Sequence, residues 1–209
     1  MKKLFLGAAV AMSSLAFAQQ FGIKGGMNVS SLSKDASLSD QQSKIGFNAG
    51  VFMNAPLGSN FSIQPELLYT QYGAKGNYTA PVVTTSGVVN QEFSSSTHFD
   101  YIALPVMFQY NATPAFYLEA GPEFGLSVSA KDKVKNETTG ETLAESDNYK
   151  DNINGFNLGL GIGAGYYFTP NVGLTARYVA GLTDVAKNRP SGSDAVRNNT
   201  FQVGLAYKF

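Results

Sequence analysis

The chain has no Cys, no Trp and a single His in 209 residues. Without Cys there is no disulfide framework, no thiolate metal site and no cysteine nucleophile. One His, His98, argues against a histidine-rich zinc or iron centre. Charge is also scarce: Asp, Glu, Lys and Arg make up 14%, against roughly 25% in an ordinary soluble domain. Lys plus Arg balances Asp plus Glu at 15 each, so no basic footprint points to nucleic acid. No metal and no cofactor is expected. What the chain does hold is 22 Gly, 15 Phe and 11 Tyr. That mixture suits a β protein that does not face water on every side.

Met1, Lys2 and Lys3 form a short positive start, followed by an apolar stretch from Leu4 to Leu15. Ala16, Phe17 and Ala18 then place small residues where a signal peptidase reads, with cleavage expected before Gln19. The stretch is too short to span a membrane as a helix, which needs about 20 apolar residues. The alternative is a buried N-terminal helix. Residues 1–18 are thus expected to be a cleaved signal peptide, and 19–209 a single domain. Losing Lys2 and Lys3 leaves 13 basic against 15 acidic residues, a net charge of −2. No later run is apolar enough for a spanning helix, so any membrane span must be β.

From Phe156 to Phe168 the even positions are Phe, Leu, Leu, Ile, Ala, Tyr and Phe, while Gly or Asn occupies nearly every odd one. Such alternation sends one set of side chains to each face of a strand. Eight segments share the rhythm: roughly 21–30, 44–56, 61–74, 98–110, 116–130, 153–168, 171–183 and 199–209. Short turns near 57–60, 111–115 and 169–171 alternate with long polar connections at 31–43, 75–97, 131–152 and 184–198. This pattern predicts an all-β, eight-stranded antiparallel up-and-down transmembrane barrel, with short periplasmic turns and four long extracellular loops. Both termini are then periplasmic, in an outer membrane.

A soluble eight-stranded barrel of the lipocalin type would place its apolar residues inside. Here the second face is Gly, Asn, Ser, Thr and Gln with scattered charges, too small and polar for such a core. Phe61, Tyr110, Phe116, Phe168 and Phe209 stand near strand ends, as an interfacial girdle requires. Val82, Val83, Val88 and Val89 around Ser86 and Gly87 predict a hairpin that extends two strands beyond the membrane. Ten strands are the alternative, if the 82–93 segment pairs within the barrel. Pro65, Pro105 and Pro122 lie inside strands, where a closed sheet leads one to expect bulges.

The last strand carries the most specific motif. Gln202, Gly204, Tyr207 and Phe209 fit polar-x-Gly-x-x-aromatic-x-aromatic. This resembles the β-signal read by the barrel-assembly machinery, which is therefore an expected partner. Further stretches are Phe21 to Asn28, Gln64 to Tyr69, Asp100 to Pro105, Glu119 to Phe124 and Ala176 to Tyr178. On these the chain resembles the PorT-like outer-membrane β-barrel proteins. The resemblance implies the fold and hints at secretion or porin activity, but fold alone does not assign function.

Eight strands leave an interior only wide enough for side chains. The inward face carries Lys24, Glu66, Glu119, Glu123, Arg177 and Lys208, with Lys44 nearer the rim. Counted upward from the turns, Glu66, Glu123 and Arg177 lie near mid-height, whereas Lys24, Glu119 and Lys208 lie near the mouth. Buried charges must pair. Arg177 is thus expected to bridge Glu66 and Glu123, with the lower trio forming a second cluster. Such a network is read here as a plug, the alternative being a gate.

Other chemical motifs are weaker. Gly159 to Ala164 formally matches a dinucleotide-binding pattern, but its glycines continue at period 2 and no helix follows. Ser96, His98 and Asp100 share the lipid-facing parity, although neighbours two apart on a strand lie about 6–7 Å apart, too far for a direct bond. Glu137, Glu141, Glu145, Asp147 and Asp151 would suit a divalent cation or simply a solvated loop. Lys187, Arg189 and Arg197 would suit lipopolysaccharide phosphates. The leading expectation is a non-enzymatic, monomeric surface or structural barrel, in contact with outer-membrane lipid, whose loops bind an external ligand. A narrow porin or transporter and a lipid-modifying enzyme using His98 are the alternatives.

Overall fold

The computed structural model describes residues 19–33, 41–84, 87–146, 148, 153–185, 187 and 195–209. The expected signal peptide, residues 85–86 of the expected hairpin, Asp147, Asp151 and Arg189 lie outside the described residues. Eight long strands follow one another: β1 (Gln20–Leu32), β2 (Gln41–Pro56), β3 (Phe61–Thr84), β4 (Gly87–Asn111), β5 (Phe116–Asn136), β7 (Phe156–Tyr167), β8 (Val172–Gly181) and β9 (Asn198–Lys208). A short β6 (Thr142–Glu145) sits against β5 alone. Each long strand pairs antiparallel with its neighbours, β4 pairs β5, and β1 pairs β9. The ring is closed, so the barrel proper has no free edge.

Alternation decides which side faces out. In β1, Phe21, Ile23, Met27 and Val29 are exposed, whereas Lys24, Asn28 and Ser30 are buried. The same inversion runs around the ring, with Phe47, Val51, Leu67, Leu104, Ile162 and Leu205 outside. Aromatic pairs mark both rims: Phe61 with Tyr110 at the turn end (5.4 Å) and Phe47 with Tyr69 at the loop end (5.6 Å). An apolar exterior around a polar lumen is the reverse of a water-soluble barrel and matches a lipid-embedded one.

The strands are unequal. β7, β8 and β9 hold 12, 10 and 11 residues, but β3, β4 and β5 hold 24, 25 and 21. The segments expected as loops at 75–97 and 131–152 are therefore partly sheet. β3 and β4 stay paired from Phe61–Tyr110 to Thr84–Gly87. The extra length rises beyond the barrel as the expected hairpin and adds no ninth or tenth wall strand.

Bulges occur, but not at the prolines. In the barrel wall they lie in β2 between Ser43 and Asn48 and in β5 opposite Asp100 and Tyr101, where barrel gives way to protruding sheet; a further one lies in the β5–β6 pairing at Val134 and Lys135. Beside Pro65, Pro105 and Pro122 a few pairing steps drop out with no change of register. A missing N–H deletes a bond; it does not insert a residue.

Two hydrophobic clusters close the lumen. Phe52, Tyr117, Tyr167 and Ala206 pack near the turn end. Tyr72, Phe99, Tyr101, Ala130, Ile153 and Val185 pack near the loop end. Between them the buried side chains are mostly polar, with Leu68, Met107 and Val179 among them.

Candidate functional site

Four charged side chains from four strands cross the lumen between those clusters. Arg177 on β8 reaches Glu66 on β3, the strand diametrically opposite, through Nη1 to Oε2 (2.9 Å) and Nη2 to Oε1 (2.7 Å). Its Nε donates to Glu119 Oε1 on β5 at 2.7 Å. Lys24 on β1 completes the set, with Nζ 3.3 Å from Glu66 Oε1. Two cations face two carboxylates, and all four side chains are at least 96% buried. The planar guanidinium suits this arrangement because its five donors are fixed in one fork.

Arg177 was expected to bridge Glu66 and Glu123; it meets Glu66, but its second partner is Glu119. Barrel stagger is the reason. Across β7, Glu119 and Arg177 both register with Gly163, so they occupy one row. A Cβ at Gly163 would come within 2.5 Å of the Ala176 carbonyl and 3.0 Å of the Glu119 carboxylate. The bare backbone there lets the two side chains meet. Followed in one direction, the row through Arg177 meets β2 at Gly46; followed in the other, through Ser62, it meets β2 at Pro56, ten residues away. Height above the nearest turn therefore misplaces residues on distant strands.

The second expected cluster does not form. Lys24 and Glu119 belong to the brace, while Lys208 lies over the Tyr167 ring, 3.8 Å from its centroid. Glu123 takes the Tyr72 hydroxyl instead, and its other carboxylate oxygen has no protein partner.

An amide ladder extends the brace toward the turn end. Gln64 Nε2 donates to Glu66 (2.9 Å), Gln109 Nε2 to Glu119 (3.1 Å), and Asn54 Nδ2 to Gln109 (2.7 Å). On the loop side, Asn28 Nδ2 donates to Thr70 (2.8 Å), and Asn28 Oδ1 accepts from Asn48 Nδ2 (2.5 Å). These neutral residues were missed as site members, although their inward parity marks them. The chain of bonds leaves the middle of the lumen filled and braced.

The family described as outer membrane protein beta-barrel domain matches residues 17–187. The chain belongs to this family. Solved structures extend the likeness. The attachment invasion locus protein Ail of Yersinia pestis, in complex with the heparin analogue sucrose octasulfate, is 14% identical over 91% of this chain and 99% of that one (TM-score 0.50). Neisserial surface protein A is 17% identical over 90% and 97% (TM-score 0.47), and the Escherichia coli outer membrane protease OmpT 12% over 91% and 96% (TM-score 0.45). A comparison with curated proteins finds no match. The family places this barrel in an outer membrane.

In this outer-membrane barrel the closing seam between β1 and β9 runs through Gly26 and Gly204. A Cβ at Gly204 would stand 2.5 Å from the Gly25 carbonyl and 2.9 Å from the Gly26 Cα. Tyr207 and Phe209 face outward, whereas Gln202 points into the lumen without a protein hydrogen bond.

His98 sits just past the apolar band, on the outer wall, and does not pair with Ser96 or Asp100 as a catalytic base would. Lys44 Nζ contacts its Nδ1 from β2, two strands away. Gly73 of β3, at φ +151°, lies beneath; a Cβ there would meet the Lys44 Cδ at 3.0 Å and the Thr97 carbonyl at 2.0 Å. Burial lowers the Lys44 pKa to about 8, against the opposing pull of Asp100. Burial first and the Lys44 charge second hold His98 below its ordinary range.

Proposed function

We propose that this protein is a closed, non-enzymatic and monomeric surface barrel of the PorT-like type, whose outward sheet meets an external ligand. The long connections face outward and both termini lie in the periplasm. The observation that carries this reading is the cross-lumen fork of Arg177 on Glu66, completed by Glu119 and Lys24. A solute path would have to break several buried, charge-assisted bonds, each costly to leave unmade. The protruding part of β3, β4, β5 and β6 supplies the surface for a ligand. Its tip is chemically distinct: residues 76–91 carry no charged side chain, and Val83 and Val88 are among the most exposed large hydrophobic residues described. Gln202, Gly204, Tyr207 and Phe209 serve as the signal by which the assembly machinery takes up the last strand.

Single-channel recording of the refolded mature protein in a planar bilayer tests the closed barrel. Silence from a folded sample is expected. Reproducible openings whose size changes with Arg177→Ala or Glu123→Gln would establish a pore and sink the proposal. Lipid turnover abolished by His98→Ala would instead establish an enzyme.

A further inference from the structure

The outer wall carries a cleft that the filled lumen does not explain. It lies at the level of the β2 and β5 bulges and has a cavity of about 200 Å³ lined by His98, Asp100, Ser129, Lys131, Asp132, Lys133 and Glu145. We infer that this cleft binds the phosphorylated sugar headgroup of an outer-leaflet glycolipid.

Position comes first. On β4 the residues below the cleft on the same face are Ile102 and Leu104; on β5 they are Leu126 and Val128, all exposed to lipid. The β5 bulge then turns Lys131 and Lys133 outward, directly above that apolar band. A sideways-facing cleft at this height meets the headgroup layer.

Chemistry comes second. Lys44 Nζ contacts Nδ1 of His98; an ammonium can only donate, so beside a charged Lys44 the ring proton belongs on Nε2, which is then a donor. With the Ser129 hydroxyl and the Lys131 and Lys133 ammonium groups, the cleft offers four donors suited to phosphate oxygens. Asp100, Asp132 and Glu145 supply acceptors, Glu145 standing 3.9 Å from Lys133 in an exposed pair that a ligand can displace, and one Asp100 carboxylate oxygen is buried without a protein partner. Donors for a phosphate beside acceptors for hydroxyl groups describe a phosphosugar better than a bare anion. The inference rests on the outward orientation proposed above but not on a silent lumen.

Because His98 is the only histidine, its imidazole gives one resonance to follow. The mature protein in phosphatidylcholine nanodiscs is titrated with diphosphorylated lipid A, with lipid A stripped of phosphate, and with inorganic phosphate. The expected result is a saturable shift with the first, at least about tenfold tighter than with the other two. Lys131→Gln combined with Lys133→Gln weakens it about tenfold, whereas Lys75→Gln, outside the cleft, leaves it unchanged. An equal response to inorganic phosphate would overturn the lipid assignment. No shift with any probe would overturn the site. Nanodiscs expose both leaflets, so binding is read independently of orientation, which protease access to the hairpin on intact cells tests separately.

Discussion

In the lumen, Arg177 and Glu66 have side chains 1% and 0% exposed and meet at 2.7 Å; on the protruding sheet, Lys133 and Glu145 are 45% and 53% exposed and stand 3.9 Å apart. The two pairs join opposite charges, yet they do different things. The exposed pair is screened by water and salt and costs side-chain entropy to hold. The buried one has given up hydration at both ends, so removing either partner strands a charge in a low-dielectric core. An ion pair matters here according to what replaces it when it breaks. The lumen offers nothing in exchange, and the sheet offers water.

Arg177→Ala should widen that contrast most, lowering stability by about 3–5 kcal/mol as read by the urea midpoint of the folded barrel. An unchanged midpoint would mean that the brace is wet. Gly163→Val attacks the same brace without touching a charge. Its side chain would enter the space between Glu119 and Arg177, with an expected loss of about 1–3 kcal/mol from overpacking. Gln109→Leu removes the amide joining Asn54 to Glu119 and should cost about 1–3 kcal/mol through the groups left unpaired. On the sheet, Lys135→Gln breaks its 3.5 Å pair with Glu137 and should change stability by less than about 1 kcal/mol, less still in high salt.

The smallest effect is a titration. The His98 resonance should have its midpoint below the ordinary histidine range, and Lys44→Gln should raise it by removing the neighbouring ammonium. The sign follows from the lowered folded value: the unfolded chain takes up the proton first as pH falls. His98 therefore contributes its stability above about pH 6.5, the unfolded value, and loses it as pH drops toward the folded one. A midpoint that ignores Lys44 would remove the contact.

Much of the wall was legible because alternation is a local property. Phe156 to Phe168 announces its two faces without reference to any other strand, and Phe61 and Tyr110 mark the same rim from opposite sides of a turn. The six inward charges were also readable from parity, and all but Lys208 are now seen to be at least nine-tenths buried. Which charge meets which was not readable. Pairing Arg177 with Glu119 depends on the stagger of the whole ring and on the missing side chain at Gly163, and no window along the chain contains both. The Lys44–His98 contact was hidden for the same reason, since it crosses a strand at Gly73. The 75–97 segment misled in another way. Polar and with only Lys75 and Glu92 charged, it has loop composition, although Val82, Val83, Val88 and Val89 betrayed the hairpin.

The Arg177–Glu66 fork joins residues 111 positions apart on opposite sides of the ring. Until β9 docks on β1, β8 has no fixed distance from β3, and neither half of the fork can find the other. The bond thus acts as a completion marker. A chain stalled with its seam open can keep Arg177 with Glu119 and Lys24 with Glu66, each pair on its own side of the gap, but lacks the fork that ties the two pairs together. The same contact that blocks the lumen records that the wall around it has been sealed.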